Sequence, residues 1–310
     1  MCGIVGYLDR TGANSALLGS TVLGMLQALG CRGPDSAGVA LFGPGEGTGR
    51  GETQKPDCYI ARVKLGSNGH DAGLESKVAA AAQPFGANGF STTGSYLRFS
   101  IKEIRDVKGF LSSVESVAPG VEVVSLGRRL EIVKQVGSPA NLESTYNISA
   151  FCGSHGIGHT RLSTESIVDL SHSQPFWSHG YPDLAIAHNG HITNYHQLRR
   201  RFEQRGIRFY TGNDSEIVAI YLSGLLREGR TLSEALSSML VDLDGSFSCL
   251  AATDMEIGFV KDAFSFKPLL FAESEAFVAV ATEEIAIRAA IPGVYCVREA
   301  QAKEVRVWRR

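Results

Sequence analysis

Cys2 is the first residue of the chain with chemistry to offer. A small second residue permits removal of the initiator methionine, which would leave a thiol and a free α-amine on Cys2. Such an amine titrates near ~8 and can take the proton of its own thiol, so no separate histidine is needed. The competing reading is a buried structural cysteine at the start of a strand. Farther along, Gly158-His-Thr-Arg-Leu-Ser-Thr164 sets a single arginine, Arg161, between strand-like residues, and a guanidinium there suits bidentate capture of a carboxylate. His188-Asn-Gly190 closes the run LAIA, where the Asn189 carboxamide and the unobstructed Gly190 N–H form a pair of donors able to hold an oxyanion. Asp214, within Thr211-Gly-Asn-Asp-Ser-Glu216, stands at a helix start. A carboxylate there caps the helix or receives an ammonium group. Together these residues describe a pocket for a zwitterionic amino acid carrying a side-chain acyl group.

Other candidates carry less. Seven histidines lie between positions 155 and 196, with His155 and His159 four apart and His188 and His191 three apart. Their setting is glycine-rich strand and turn without a CxxC pair or an HExxH helix, so no metal site is expected. The stretch GPGEGTGRG at 43–51 has the glycines of a phosphate loop but lacks its GK[ST] ending, and reads as a connector. The run RRRFEQRGIR at 199–208 reads as a solvated helix face.

The elements that must position these residues follow from periodicity. Residues 1–8 form an apolar strand at the very terminus, which has to be tied into a sheet. Residues 16–29 show helical spacing with Leu18, Val22, Met25, Leu26 and Leu29 on one face. A turn at 31–38 leads to a short strand at 39–42. A separate alternation then occupies 58–148: strand 58–64, helix 72–82, strand 96–101, helix 107–117, strands 121–126 and 130–136, and a short helix near 139–147. This reads as an inserted α+β subdomain. From 152 the glycine-rich strand texture resumes, with strands at 156–163, 184–190, 247–253, 257–262, 269–274 and 277–282, and helices at 194–205, 213–227 and 231–241. Residues 1–42 and 152–310 are expected to form one layered domain.

The 310 residues carry 30 Lys and Arg against 32 Asp and Glu, for a net charge of −2, so nothing favours binding nucleic acid. No apolar stretch approaches the roughly 20 residues needed to span a bilayer, and Asp9 and Arg10 interrupt the first apolar run before it could serve as a leader. Six scattered cysteines fit a reducing, cytoplasmic setting.

Met-Cys-Gly-Ile-Val-Gly at 1–6, Arg-Gly-Pro-Asp-Ser-Ala-Gly at 32–38, Gly-His-Thr-Arg at 158–161, His-Asn-Gly at 188–190, Asn-Asp-Ser-Glu at 213–216 and Asp-Gly-Ser-Phe at 244–247 occur in this order. The ordered set resembles the class II glutamine amidotransferases over residues 1–42 and about 152–292. That resemblance implies an α+β fold, the four-layer αββα sandwich of the N-terminal-nucleophile hydrolases. It implies Cys2 as nucleophile, Asn189 and Gly190 as oxyanion hole, Arg161 with Thr164 on the glutamine α-carboxylate, and Asp214 on its α-ammonium. Arg32 and His188 are implied as supporting residues. Leu162 stands where several relatives carry an aromatic residue, so the contact over the glutamine is expected to differ. HTRLSTES at 159–166, SHSQPF at 171–176 and DAFSFKPLLF at 262–271 are similar to the free-standing amidotransferase subunits of glutamate-synthase-like complexes, including N-methylglutamate synthase. This implies L-glutamine as substrate and ammonia passed to a partner synthase subunit carrying the flavin (FMN), with no cofactor in this chain. The alternatives are an autonomous amide hydrolase of the same fold and a catalytically silent regulatory subunit.

Overall fold

The N-terminal strand Gly3–Asp9 is buried along its whole length at the centre of a seven-stranded antiparallel sheet. The computed structural model describes residues 2–44, 58–66, 73–163 and 168–310. The strand pairs with His155–Arg161 on one side and Phe277–Ala281 on the other. The order across the sheet is Val297–Glu299, Leu270–Glu273, Phe277–Ala281, Gly3–Asp9, His155–Arg161, Ser36–Phe42 and Leu130–Val136. Alternation assigns its faces. Val5 and Tyr7 pack with Val22, Met25 and Leu26 of helix Leu18–Ala28, and with Ile287 of helix Glu284–Ala290. Ile4 and Leu8 point the opposite way, into a core shared with Leu250, Ile257 and Phe259 of a second sheet. All five residues expected on the helix's apolar face, Leu18 to Leu29, are fully buried.

The second sheet is also antiparallel and runs Val305–Arg309, Glu256–Lys261, Gly245–Ala252, Ala185–Ile192 and Phe176–Trp177. Its far face is covered by Leu198, Ile217, Leu222, Leu236 and Met239 from helices Tyr195–Gln204, Asp214–Arg227 and Leu232–Asp242. Helix, sheet, sheet and helix therefore stack in four layers, the αββα sandwich of an α+β fold. Thr231 and Glu234 start the last of these helices with a reciprocal capping box.

The third sheet orders Ala87–Thr93, Tyr96–Ile101, Tyr59–Lys64 and Glu122–Gly127. Helices Leu74–Ala82 and Val107–Glu115 bury Leu74, Val78, Phe110 and Val114 in the core it shares. Not all of the stretch 58–148 lies in this third sheet. Strand Leu130–Val136 pairs with Ser36–Phe42 and belongs to the large sheet. Leu130 and Ile132 enter the core between the two main sheets while Val133 faces the helices, so both faces of the strand need the sandwich. Helix Pro139–Tyr146 likewise buries Leu142 on the sandwich side. The inserted sheet thus closes at Gly127. Asp183 fastens this crossing point, its carboxylate accepting the N–H groups of Arg128, Arg129 and Leu130 at 2.8, 2.9 and 2.9 Å. A Cβ on Gly127 would lie 2.3 Å from that carboxylate, which is why the position has no side chain.

Ala87–Thr93, Val297–Glu299, Val305–Arg309 and helix Glu284–Ala290 were not expected from periodicity. The first is largely exposed and polar, so it has no apolar face to read. Among the described residues no helix is long and apolar enough to cross a membrane.

Candidate active site

Cys2 immediately precedes the central strand, and the pairing of Gly3 with Thr160 sets its place beside the end of strand His155–Arg161. A Cβ on Gly3 would come within 2.9 Å of both Leu29 and Thr160 Oγ1, so the chain passes close against both side chains here. The Cys2 thiol sulfur accepts the N–H of Leu162 at 3.4 Å and lies 3.6 Å from the Leu162 carbonyl. The turn after helix Leu18–Ala28 packs directly beneath, since a Cβ on Gly33 would sit 2.4 Å from the Thr160 carbonyl carbon. That turn brings Arg32 into an ion pair with Glu283 and Asp35 onto the N–H of Ser163 at 2.7 Å.

Asn189 arrives from the second sheet. Its Nδ2 donates to the Cys2 carbonyl at 3.0 Å and reaches Thr282 Oγ1 at 3.5 Å. Its Oδ1 lies 3.2 Å from His159 Nε2. A carboxamide oxygen only accepts, so this contact requires the proton on Nε2 of His159. Burial pushes the His159 pKa down to about 3, against the pull of the Asn189 contact, so the ring is neutral when it orients Asn189. The next residue, Gly190, has φ +144°, and a Cβ there would stand 2.2 Å from the Ser246 carbonyl oxygen. Glycine is required at this turn.

Asp214 opens helix Asp214–Arg227, yet it does not cap it. The cap is Asn213, whose side chain accepts the N–H of Ser215. This leaves the Asp214 carboxylate to accept the N–H of Ile192 at 2.9 Å, with His188 Nδ1 at 3.9 Å and His191 Nδ1 at 3.7 Å. Of the two roles open to Asp214 in the sequence, capping therefore falls to its neighbour. His188 is held on three sides. Gln174 accepts from its N–H at 2.7 Å and donates to its carbonyl at 2.9 Å, while its Nδ1 lies 2.9 Å from Ser215 Oγ. Burial lowers its pKa, with Asp214 pulling in the other direction. Arg161 is buried and its pKa is lowered by that burial, opposed by Cys2, Asp169 and Asp35.

Cys2, Arg161, Asn189, Gly190 and Asp214 all line one cavity of about 520 Å³, together with Arg32 and His188. Five separate stretches of sequence converge there. Thr164 and residues 45–51 of the glycine-rich loop lie outside the described residues. Among the described residues no group of three or more His, Cys, Asp and Glu side chains could hold a metal ion. Sequence reasoning did not single out Gln174, Thr282, Lys267 or Tyr195 in this cavity. Gln174 had a signal in the run Ser171-His-Ser-Gln-Pro-Phe176, but its task is to bridge both polar groups of a distant peptide, which no local pattern encodes.

The profile of the glutamine amidotransferase domain family matches residues 159–289. The glutamine amidotransferase-like protein GlxB of Rhizobium meliloti is 34% identical over 284 residues, covering 91% of this chain and 89% of that protein. A protein of Methanothermobacter thermautotrophicus whose name also carries the words glutamine amidotransferase is 33% identical over 293 residues, 93% of each chain. The chain belongs to the glutamine amidotransferase family. Among solved structures, the allosteric regulatory enzyme of purine biosynthesis superposes on 99% of this chain with a TM-score of 0.63 at 19% identity. The Bacillus subtilis glutamine phosphoribosylpyrophosphate amidotransferase gives 0.60 at 20%. This chain spans only 46% and 47% of those enzymes, and what they share with it is the fold.

Proposed function

We propose that this protein hydrolyses L-glutamine to L-glutamate and ammonia through a thioester on Cys2. The observation that supports the reading is the shared cavity, which Cys2, Asn189, Gly190, Arg161 and Asp214 all line. With Met1 removed, the α-amine of Cys2 takes the thiol proton and the thiolate attacks the side-chain amide carbon. Asn189 and the Gly190 N–H hold the resulting oxyanion. The Cys2 ammonium returns its proton to the departing nitrogen, releasing ammonia, and water then cleaves the thioester to free glutamate. In this reading Arg161, with Thr164, binds the α-carboxylate and Asp214 the α-ammonium. Arg32 and Asp35 brace the two segments that flank the thiol, and His188 fixes the helix start that carries Asp214.

Ammonia set free in water is protonated and lost as a nucleophile, so the product of such a site serves synthesis only when handed directly to an acceptor. We propose that the acceptor site lies on a partner subunit of the glutamate-synthase-like or N-methylglutamate synthase type, and that the flavin (FMN) belongs to that partner. The cytoplasm is the expected setting for such a complex. The assignment is tested by glutamate release. The wild-type chain should turn over glutamine, alone or with its partner, and Cys2→Ala should lose at least about a thousandfold. Full turnover in Cys2→Ala would overturn it. Co-expression with a flavoprotein synthase followed by gel filtration tests the partner, and separate elution with fast uncoupled hydrolysis would count against it.

A further inference from the structure

The inserted subdomain reaches toward the glutamine pocket through a buried hydrogen-bonded junction at Glu115. Glu115, the last residue of helix Val107–Glu115, has a side chain only 3% exposed. One carboxylate oxygen accepts the N–H of Val123 at 3.1 Å within the insertion. The other accepts the hydroxyl of Tyr210 at 2.7 Å, with Arg208 Nη1 at 3.7 Å. Burial raises the Glu115 pKa and the Tyr210 hydroxyl draws it back down. The Tyr210 ring lies face to face with His179, centroids 3.8 Å apart, so its direction is fixed as well as its end point.

From Tyr210 the contacts lead straight to the helix that carries Asp214. The Tyr210 N–H donates to Glu216 Oε1 at 2.8 Å, and the Thr211 N–H and hydroxyl both donate to Glu216 Oε2 at 2.8 Å. Thr211 Oγ1 in turn accepts the N–H of Asn213, the residue that caps the helix. Glu216 is 2% exposed and sits in the first turn of the helix, two residues past Asp214. The segment 210–213 is therefore strung between a carboxylate of the insertion and a carboxylate of the helix.

We propose that Tyr210 and Glu115 are positioning residues for glutamine binding, and that through them the inserted subdomain sets where the Asp214 carboxylate stands in the pocket. This rests on the reading of Asp214 as the ammonium acceptor. Neither residue lines the cavity, so their effect on the reaction is indirect and falls on substrate affinity.

The test is steady-state glutaminase kinetics on the full chain, with its partner if turnover needs one. Tyr210→Phe deletes the hydroxyl and keeps the ring on His179. It should raise KM for glutamine about three- to tenfold with kcat within about twofold of wild type, the loss of one hydrogen bond to a charged group being only partly transmitted. Glu115→Ala should match it, and the double variant should be no worse than either single one. Glu115→Gln keeps one of the two acceptor oxygens, so its KM should fall between wild type and Glu115→Ala. Asp214→Asn is the control, expected to raise KM about ten- to a hundredfold. If Asp214→Asn raises KM and Tyr210→Phe does not, the junction is inert and the proposal fails alone. If Asp214→Asn leaves KM unchanged, the ammonium reading itself falls and the proposal with it. A kcat loss in Tyr210→Phe without a KM change would also overturn it.

Discussion

Two clusters of polar side chains, both largely withdrawn from solvent, are built on opposite principles. Where the insertion meets the large sheet, Glu131 is clasped by Arg62 at 2.7 Å and Arg98 at 2.9 Å, and Lys64 pairs with Glu122 at 3.1 Å. Burial alone would raise the Glu131 pKa, but the two guanidiniums override it and hold the carboxyl below its ordinary value. Around Cys2 the matching is incomplete. His159 Nδ1 and His188 Nε2 are buried without a hydrogen-bond partner among the described residues, and Gly190 sits in a backbone conformation closed to other residues. Unsatisfied buried polar atoms cost stability, on the order of 1–3 kcal/mol each. The charges of the first cluster are matched within the chain, whereas the two histidines beside the cavity keep a ring nitrogen without a hydrogen-bond partner among the described residues.

Substitutions on the two sides should differ in their effect on activity. Asn189→Ala removes a proposed oxyanion donor and should lower kcat about 10²- to 10³-fold, and the buried His159 Nε2–H that it leaves without an acceptor should lower unfolding free energy by about 1–3 kcal/mol. A kcat loss below tenfold would mean that Asn189 holds Cys2 in place and nothing more. Glu131→Gln should cost stability and spare activity. Two half-buried guanidiniums lose their counter-charge, so unfolding free energy should drop by about 1–3 kcal/mol while kcat/KM stays within about twofold. A comparable fall in activity would show that the two clusters are coupled.

The remaining effect is in pH. Burial drives the pKa values of His155, His159 and His179 down to about 4, about 3 and about 4. The unfolded chain therefore binds these protons first, and their contribution to stability is complete above the ordinary histidine range. It is lost as pH falls toward 4, each histidine contributing a slope of at most about 1.4 kcal/mol per pH unit. Thermal melts should shift downward between pH 7 and pH 5, and His179→Phe should flatten that slope. A melting temperature independent of pH over this interval would contradict the neutral, buried state of these rings.

Much of the sandwich was legible because both of its main sheets bury strands and helices with clear periodicity. The helix Leu18–Ala28 and the three helices on the second sheet appear close to where apolar spacing puts them. The edges were not legible. Val305–Arg309 alternates charge with apolar residues yet pairs along Glu256–Lys261, a partnership only tertiary structure supplies. Leu130–Val136 reads as one more strand of the insertion, because sequence adjacency cannot reveal that both of its faces are covered by the sandwich. At the site, the types of Cys2, Arg161, Asn189 and Asp214 announced their chemistry, and the cavity gathers them. Gln174 and the Glu115–Tyr210 junction stayed hidden, since each works through a partner far away in sequence.

The most direct test of the account is mass spectrometry of the N-terminal peptide from protein mixed with L-glutamine and quenched in acid during turnover. The peptide should begin at Cys2, without Met1, and a fraction of it should carry the mass of one γ-glutamyl group attached through the sulfur. Active protein that retains Met1, or an acyl group found on any other residue, would contradict it.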